Sequence, residues 1–388
     1  MLRKLIHRQL SNQIIAQRNK FPVIAVTGPR QSGKTTLLKS LFKGYQYVSL
    51  EDPDMLAFAT SDPVGFLNQY NQHAIFDEAQ RAPALFSYIQ TRVDNSGIMG
   101  QFVLSGSQNF HLMQNITQSL AGRVALFRLL PLDVYELKQH DLLPSDYANT
   151  AAWGFYPAIY DRDIQPAVFY SNYLQTYVER DVSEILNIKD KQSFQTFLRV
   201  CAGRAGQLLN TSALANDCNI ANSTAKAWLS TLESSYLIFR LYPYYENFGK
   251  RLLKSPKLYF YDTGLLCHLL GIQSGSQLKQ NRQKGNIFEN MVIAELQKMN
   301  DHRYQHKQYY FWQDSNANEI DALVKTAEGF DAFEIKATET ISTDLFKGLD
   351  KFETFAAPQP VSKTLIYGGT KDQSRSNYKV KSWQLLGE

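Results

Sequence analysis

The sequence predicts a multidomain α/β protein, and three observations carry that expectation. An apolar strand, a glycine-rich loop and a helix follow one another in FPVIAVTGPRQSGKTTLLKSLF, residues 21–42. Residues 1–150 then keep alternating short apolar strands with helical segments, the pattern of an α/β domain. Near the other end, a helix and two strands carry a Glu, an Asp and a Glu-x-Lys pair in that order. At 388 residues the chain has room for two or three cores. Composition shifts divide it into 1–185, 186–272 and 273–388, with the polar passage GIQSGSQLKQNRQKGN (271–286) expected as a linker.

A hydrophobic fraction of 44% and a charged fraction of 20% are those of a folded soluble protein. The formal net charge of +5 allows a nucleic-acid partner without arguing for one. Cys201, Cys218 and Cys267 show neither metal-ligand spacing nor a disulfide framework, so reduced thiols in a cytoplasmic protein are expected. No apolar run approaches the roughly 18 residues of a membrane span. The stretch MLRKLIHRQL lacks the features of a secretory signal and reads as an amphipathic helix packed on the first unit.

The glycine-rich loop fits G-x-x-x-x-G-K-[ST] in its required strand–loop–helix setting. Gly28, Pro29, Arg30, Gln31, Ser32, Gly33, Lys34, Thr35 and Thr36 are expected to hold ATP. Backbone N–H groups wrap the phosphates, Lys34 reaches the β and γ phosphates, and Thr35 ligates Mg²⁺. In HAIFDEAQ (73–80), Asp77 suits a hold on the same Mg²⁺, and Glu78 is placed to orient and deprotonate water. The strand QFVLSGSQNF (101–110) ends in Ser105, Ser107 and Asn109, either a γ-phosphate sensor or a serine-rich turn. In SLAGRVALFRLLPLDVYEL (119–137), Arg123 is expected to face this chain's nucleotide or a neighbouring subunit's, and Arg128 to lie at the surface.

The segments GPRQSGKTT, IFDEAQ, VLSGSQNF, SLAGRV, LPLDVYEL and YLQTYVERDVSEI together resemble a prokaryotic family of AAA-type ATPases. Its members carry a C-terminal domain of unknown function similar to restriction endonucleases. The resemblance runs from Phe21 to Thr338. It implies an AAA+ P-loop ATPase core and a restriction-endonuclease-like α/β domain, and a helical or winged-helix domain is expected between them. It also implies Arg123 and Arg180 as nucleotide-sensing arginines, although Arg180 suits a helix-surface ion pair with Asp181 or Glu184 equally well. AAA+ proteins often form rings, so a homo-oligomer is compatible with it.

The middle unit reads as a helix near 194–206, a short helix TSALANDC, the turn NIAN, and a third helix from about Ser223. Ala225, Trp228, Leu229 and Leu232 recur at helical spacing and should face inward. Asn222, Ser223, Thr224 and Lys226 would then open a recognition helix. Strands near 236–242 and 257–261 flank FGKRLLKSPK, whose Lys250, Arg251, Lys254 and Lys257 resemble a winged helix's wing, open to DNA phosphates. A structural lid is the competing reading, and Tyr242, Tyr244 and Tyr245 are expected to be packing residues.

In KGNIFENMVIAELQKMN (284–300), Asn286 is a plausible N-cap and Ile287, Phe288, Met291, Val292 and Leu296 form an apolar stripe. Glu289 lies beside that stripe and needs a partner. The hairpin NEIDALVKTAEGFDAFEIKAT (318–338) places Glu334 and Lys336 on one face and Phe333, Ile335 and Ala337 on the other. By itself it is an ion-paired strand edge. With Glu289 upstream, it resembles the PD-(D/E)xK nuclease core. That resemblance assigns one or two Mg²⁺ to Asp321 and Glu334 with the Ile335 carbonyl, a water-activating role to Lys336, and an outer metal shell to Glu289. Gln313 stands where such relatives often carry Arg. His302 and His306 are expected at the surface. The expected function is an ATP-controlled, Mg²⁺-dependent endonuclease on structured or branched DNA. Its alternatives are a DNA-binding ATPase with a silent nuclease fold, and a nucleotide switch that binds protein.

Overall fold

A computed structural model describes residues 5–107, 116, 118–177, 190–245 and 255–388. Asn109, Arg180, Lys250, Arg251 and Lys254 lie outside the described residues. The first sheet holds β1 (Val23–Thr27), β2 (Gln46–Ser49), β3 (Ala74–Asp77), β4 (Phe102–Gly106) and β5 (Val124–Arg128), in the order β2-β3-β4-β1-β5. Every pairing in it is parallel. Parallel strands are covered on both faces, so VIAVT reads as an unbroken apolar run. Its period of two still sorts the cores. Val23 and Ala25 join Phe76, Phe102 and Leu104 on one side. Ile24 and Val26 join the other side, with Leu10 and Ile14 of α1 (Leu10–Arg18) and Leu37 and Leu38 of α2 (Lys34–Leu41). Because the strands run one way, their carboxyl ends gather along one edge, where ligands of open α/β sheets bind.

The N-terminal stretch departs from the expected amphipathic helix. Residues 5–8 are not helical, and α1 begins only at Leu10. Arg8 is drawn inward instead, because a guanidinium can serve several buried acceptors at once. It donates to Ser32 O at 2.8 Å, Leu130 O at 2.7 Å and Glu136 Oε2 at 3.0 Å. Helix α3 (Leu85–Ser96) covers the sheet, and α4 (Val134–Gln139) follows β5 with a capping box between Asp133 and Glu136.

Next come α5 (Tyr147–Trp153), α6 (Lys191–Gly203), α7 (Thr211–Asp217) and α8 (Asn222–Ser234), then the antiparallel pair β6 (Ile238–Pro243) and β7 (Lys257–Phe260). The passage 271–286 is not a loose linker. Ser274 caps a short helix, Gly275–Gln280, that packs on α5. Its few apolar residues, Ile272 and Leu278, both reach the core, and the polar composition describes only its outer side. A Cβ at Gly275 would stand 2.4 Å from Asn149 Oδ1, so only glycine permits that approach.

The second sheet joins the last two units. Strands β8 (Tyr309–Gln313), β9 (Glu319–Lys325), β10 (Phe330–Lys336), β11 (Val361–Tyr367), β12 (Gln373–Arg375) and β13 (Tyr378–Ser382) align with the earlier pair as β12-β13-β11-β10-β9-β8-β6-β7. The junction is a parallel pairing of Tyr242 with Tyr310 and Pro243 with Phe311. Helix α9 (Lys284–His302) packs Ile287, Phe288 and Met291 against Ile335 and Ile366. Helix α10 (Lys347–Ala356) packs Leu349 and Phe352 against Phe330 and Ala332 on the other face. Asn286 lies inside α9 rather than at its cap, which is Gln283. Among the described residues, no helix is long and apolar enough to cross a membrane.

Candidate functional sites

The glycine-rich loop follows β1 at the carboxyl edge of the first sheet. A Cβ at Gly28 would fall 2.1 Å from Leu129 O, and Gly33 has φ +95° as it opens α2. Residues 30–36, Glu51 and Glu78 line a cavity of about 610 Å³, closed on its other side by Leu5–Arg8, Leu132, Pro157, Ala158, Asp161 and Arg162. That volume lies within the roughly 300–1,000 Å³ of small-ligand sites. Lys34 Nζ donates to Gly28 O and Pro29 O, both at 2.8 Å, and burial lowers its pKa from the ordinary value. Phosphate oxygens would replace those two carbonyls as acceptors.

Asp77 ends β3 beside the loop. It accepts from Thr35 Oγ1 at 2.6 Å, from Tyr47 at 2.8 Å and from the buried Ser105 hydroxyl. Burial opposes its charge, but the hydrogen bonds from Ser105, Thr35 and Tyr47 outweigh burial and hold the carboxyl below its ordinary pKa. Thr35 and Asp77 thus present hard oxygen donors side by side, as Mg²⁺ requires. Glu78, at φ +55°, turns to accept from the Ser107 hydroxyl at 3.0 Å and from Gln80. Both serines expected to sense phosphate hold an acid here, Ser105 on Asp77 and Ser107 on Glu78.

Arg123 does not face this chain's loop. The β1–β5 register pairs Val23 with Val124 and Thr27 with Arg128, so Arg123 lies at the opposite edge of the sheet. Five residues of strand are roughly 16 Å. Its guanidinium forks instead onto Asp94, at 2.6 and 2.8 Å. Arg128, expected at the surface, is half-buried at the carboxyl edge, 3.2 Å from Asp301 and over the Tyr236 ring.

The C-terminal acids do meet. The β9–β10 register ends at Phe333 opposite Ala322, and one further step sets Glu334 against Asp321. Asp321 Oδ2 accepts from Ile335 N at 2.7 Å. Lys336 Nζ lies 2.6 Å from Glu334 and 3.4 Å from Asp321. Glu334 Oε2 is buried with no partner, an oxygen donor that fits a hard divalent cation. Glu289 comes from α9, where its Oε1 accepts from Tyr259 at 2.6 Å and Lys257 at 3.1 Å. Burial, and then the charge of Asp321, push Glu289 and Glu334 up to about 7.

Lys257 therefore leaves the expected DNA-binding set. It is the first residue of β7, 5% exposed, and bridges Glu289 and Glu319. Burial opposes its charge, but Glu289, Glu319 and Asp321 hold the ammonium above its ordinary pKa. On α8, Ala225, Trp228, Leu229 and Leu232 are buried, while Asn222, Ser223 and Lys226 are exposed and Thr224 is half-buried. Asn222 donates to Ser212 at 2.8 Å, tying α8 to α7. Gln313 lies beside Glu319, 3.5 Å away.

His302 is buried, not at the surface. Its Nδ1 lies 2.8 Å from Asp133 Oδ2, an acid 169 residues away. Asp133, Glu136 and His302 bring possible ligand atoms within 4.8 Å of one another. The carboxylates are already served by Arg8, by Gln9 and by backbone N–H groups, so the trio belongs to a hydrogen-bonded network. It docks the end of α9 on the segment that braces the glycine-rich loop.

Residues 20–138 match the family described as AAA domain. Residues 144–276 match Domain of unknown function (DUF8612), and residues 284–386 match Domain of unknown function (DUF4143). The uncharacterized proteins Rv2008c of Mycobacterium tuberculosis and Mb2031c of Mycobacterium bovis are each 30% identical over 329 residues, covering 84% of this chain and 72% of theirs. The chain belongs to the family of these two proteins. Among solved structures, the Walker-type ATPase PABY2304 of Pyrococcus abyssi is similar at 15% identity and a TM-score of 0.44, over 69% of this chain and 96% of that one.

Residues 20–138 of this chain form an AAA-type P-loop ATPase domain, built on the first sheet. Sequence reasoning missed five contributors to the two sites. Tyr47 and Arg8 carry no signal, since their partners lie 24 to 128 residues away. Lys257 and Tyr259 are two residues apart on one strand and reach Glu289 only through the fold. Glu319 was legible, because it lies two residues before Asp321 and so shares its face of β9.

Proposed function

We propose that this family member hydrolyses ATP in its first domain and cleaves DNA phosphodiesters in its C-terminal pocket. The observation that carries the second half is the meeting of Glu289, Asp321, Glu334 and Lys336, with Glu334 Oε2 buried and unpartnered. These residues come from one helix and two strands, and a surface ion pair needs no such convergence.

In the ATPase domain, loop N–H groups and Lys34 bind the phosphates, Thr35 and Asp77 would hold Mg²⁺, and Glu78 orients water and takes its proton. In the pocket, Asp321, Glu334 and the Ile335 carbonyl would hold Mg²⁺. The ion supplies charge neutralisation on the phosphate and a more acidic water. Lys336, 38% exposed at its side chain, would orient that water and stabilise negative charge on the phosphate. Helices α6–α8 followed by β6 and β7 have the order of a winged helix. Asn222, Ser223 and Lys226, exposed near the start of α8, are the residues we assign to DNA, with structured or branched DNA as the substrate.

A second reading, a DNA-binding ATPase with a silent pocket, is favoured by one observation: Lys257 and Lys336 already neutralise part of the acid cluster. One experiment separates the two. Wild type, Lys34→Ala and Glu334→Gln are incubated with duplex, forked and four-way DNA, with and without Mg²⁺ and ATP, following phosphate release and strand cutting. Cutting that needs Mg²⁺ and is lost only in Glu334→Gln, or in both variants if ATP controls it, supports the nuclease. DNA-stimulated phosphate release with no cutting under any condition supports the silent pocket.

A further inference from the structure

We propose that the C-terminal pocket takes one divalent cation, at Asp321 and Glu334, and that Lys257 is a positioning residue standing as a fixed cation where a second ion would otherwise be required. The proposal rests on the reading of this pocket as a metal site.

Four carboxylates lie around two bridges, Glu289 of α9 with Glu319 of β9, and Asp321 of β9 with Glu334 of β10. Two ammonium groups meet them, Lys336 and Lys257. Lys257 already stands as a cation between Glu289 and Glu319, and buried charge must be balanced where it sits.

The two lysines are not equivalent. Lys336 is 38% exposed at its side chain and Lys257 only 7%. Lys257 projects from a strand fixed by its pairing with Leu241 of β6. Tyr259 on the same strand also donates to Glu289 Oε1, so that oxygen already has two partners. Glu334 Oε2 has none, although Glu334 is only 8% exposed. Demand for a cation is therefore met on the Glu289–Glu319 side and unmet on the Glu334 side. The cation that meets it comes from the middle unit's strand, which shares a sheet with the pocket.

The test counts bound Mn²⁺ on the full chain, from the loss of the free-ion electron paramagnetic resonance signal, without nucleotide. Asp77→Asn is present in every arm so that the ATPase site does not contribute. The expected result is one equivalent, abolished by adding Glu334→Gln, retained in Lys257→Arg and raised to two in Lys257→Met. Two equivalents with Lys257 in place overturn the proposal. So does one equivalent in a Lys257→Met chain that melts cooperatively, and both of those outcomes leave the pocket a metal site. No binding in the parent chain overturns the metal reading itself and this proposal with it. Should Lys257→Met fail to fold, the counts in the parent and in Lys257→Arg still decide between one ion and two.

Discussion

The backbone N–H of Val134 donates to Glu295 Oε2 at 2.6 Å, tying the start of α4 in the ATPase domain to the middle of α9. The other carboxylate oxygen holds Lys298 at 2.7 Å, and Lys298 also donates to Leu132 O. Burial pushes the Glu295 carboxyl up to about 7 from 4.5, with Lys298 pulling the other way. Because the folded-state value is the raised one, this group's stabilising proton uptake is complete below pH 4.5 and lost as pH rises through 7. Thermal melts of wild type should therefore lose up to about 1.4 kcal/mol of stability per pH unit in that window from this group. Glu295→Gln should flatten the slope. Lys298→Met leaves a buried carboxylate alone and should cost about 3–5 kcal/mol at pH 8.

Arg8 links the loop carbonyl of Ser32 to Glu136. Arg8→Met should destabilise the chain by about 3–5 kcal/mol, since Glu136 would stay buried without its guanidinium partner. It should also weaken binding of a fluorescent ATP analogue. Arg8→Lys should restore only part of either, because a single ammonium cannot reproduce the guanidinium fork.

Asp77 and Glu78 are neighbours with different expected phenotypes. Glu78→Gln should cut ATP turnover by roughly 10²- to 10⁴-fold while nucleotide binding persists. Asp77→Asn should reduce turnover and also remove the Mg²⁺ dependence of binding, read as equal affinity with and without EDTA.

Glu334→Gln should abolish metal-dependent cutting without lowering the melting temperature. The substitution removes a charge that burial disfavours while keeping the shape of the side chain. A large drop in melting temperature would mark Glu334 as a structural ion-pair member instead.

Lys226 is exposed near the start of α8. Lys226→Ala should weaken DNA binding across sequences and reduce the salt slope by about 1, the signature of one lost phosphate contact. Binding by anisotropy at several salt concentrations reads both.

The glycine-rich loop and the acidic strand end beside it were legible because they are local features. The loop from Gly28 to Thr35 forms within a few residues, and a run of apolar residues ending in Asp-Glu marks β3 wherever it sits in the sheet. Arg123 does not reach this chain's loop, because the β1–β5 register puts it at the opposite edge of the sheet. His302 was misread because the side of a helix that docks on another domain looks like a surface until that domain is in place. Its partner Asp133 is far along the chain.

The sequence by itself determined the strand–loop–helix unit, the alternating first domain, the buried face of α8 and the facing of Glu334 with Lys336, all consequences of short-range periodicity. Only the tertiary structure decided that Asp321 comes opposite Glu334, that Arg8 braces the loop and that Lys257 belongs to the acids rather than to an exposed wing. The physical reason is common to all three. Buried charges are satisfied by whatever opposite charge the packed chain brings near, and sequence separation sets no limit on that partner.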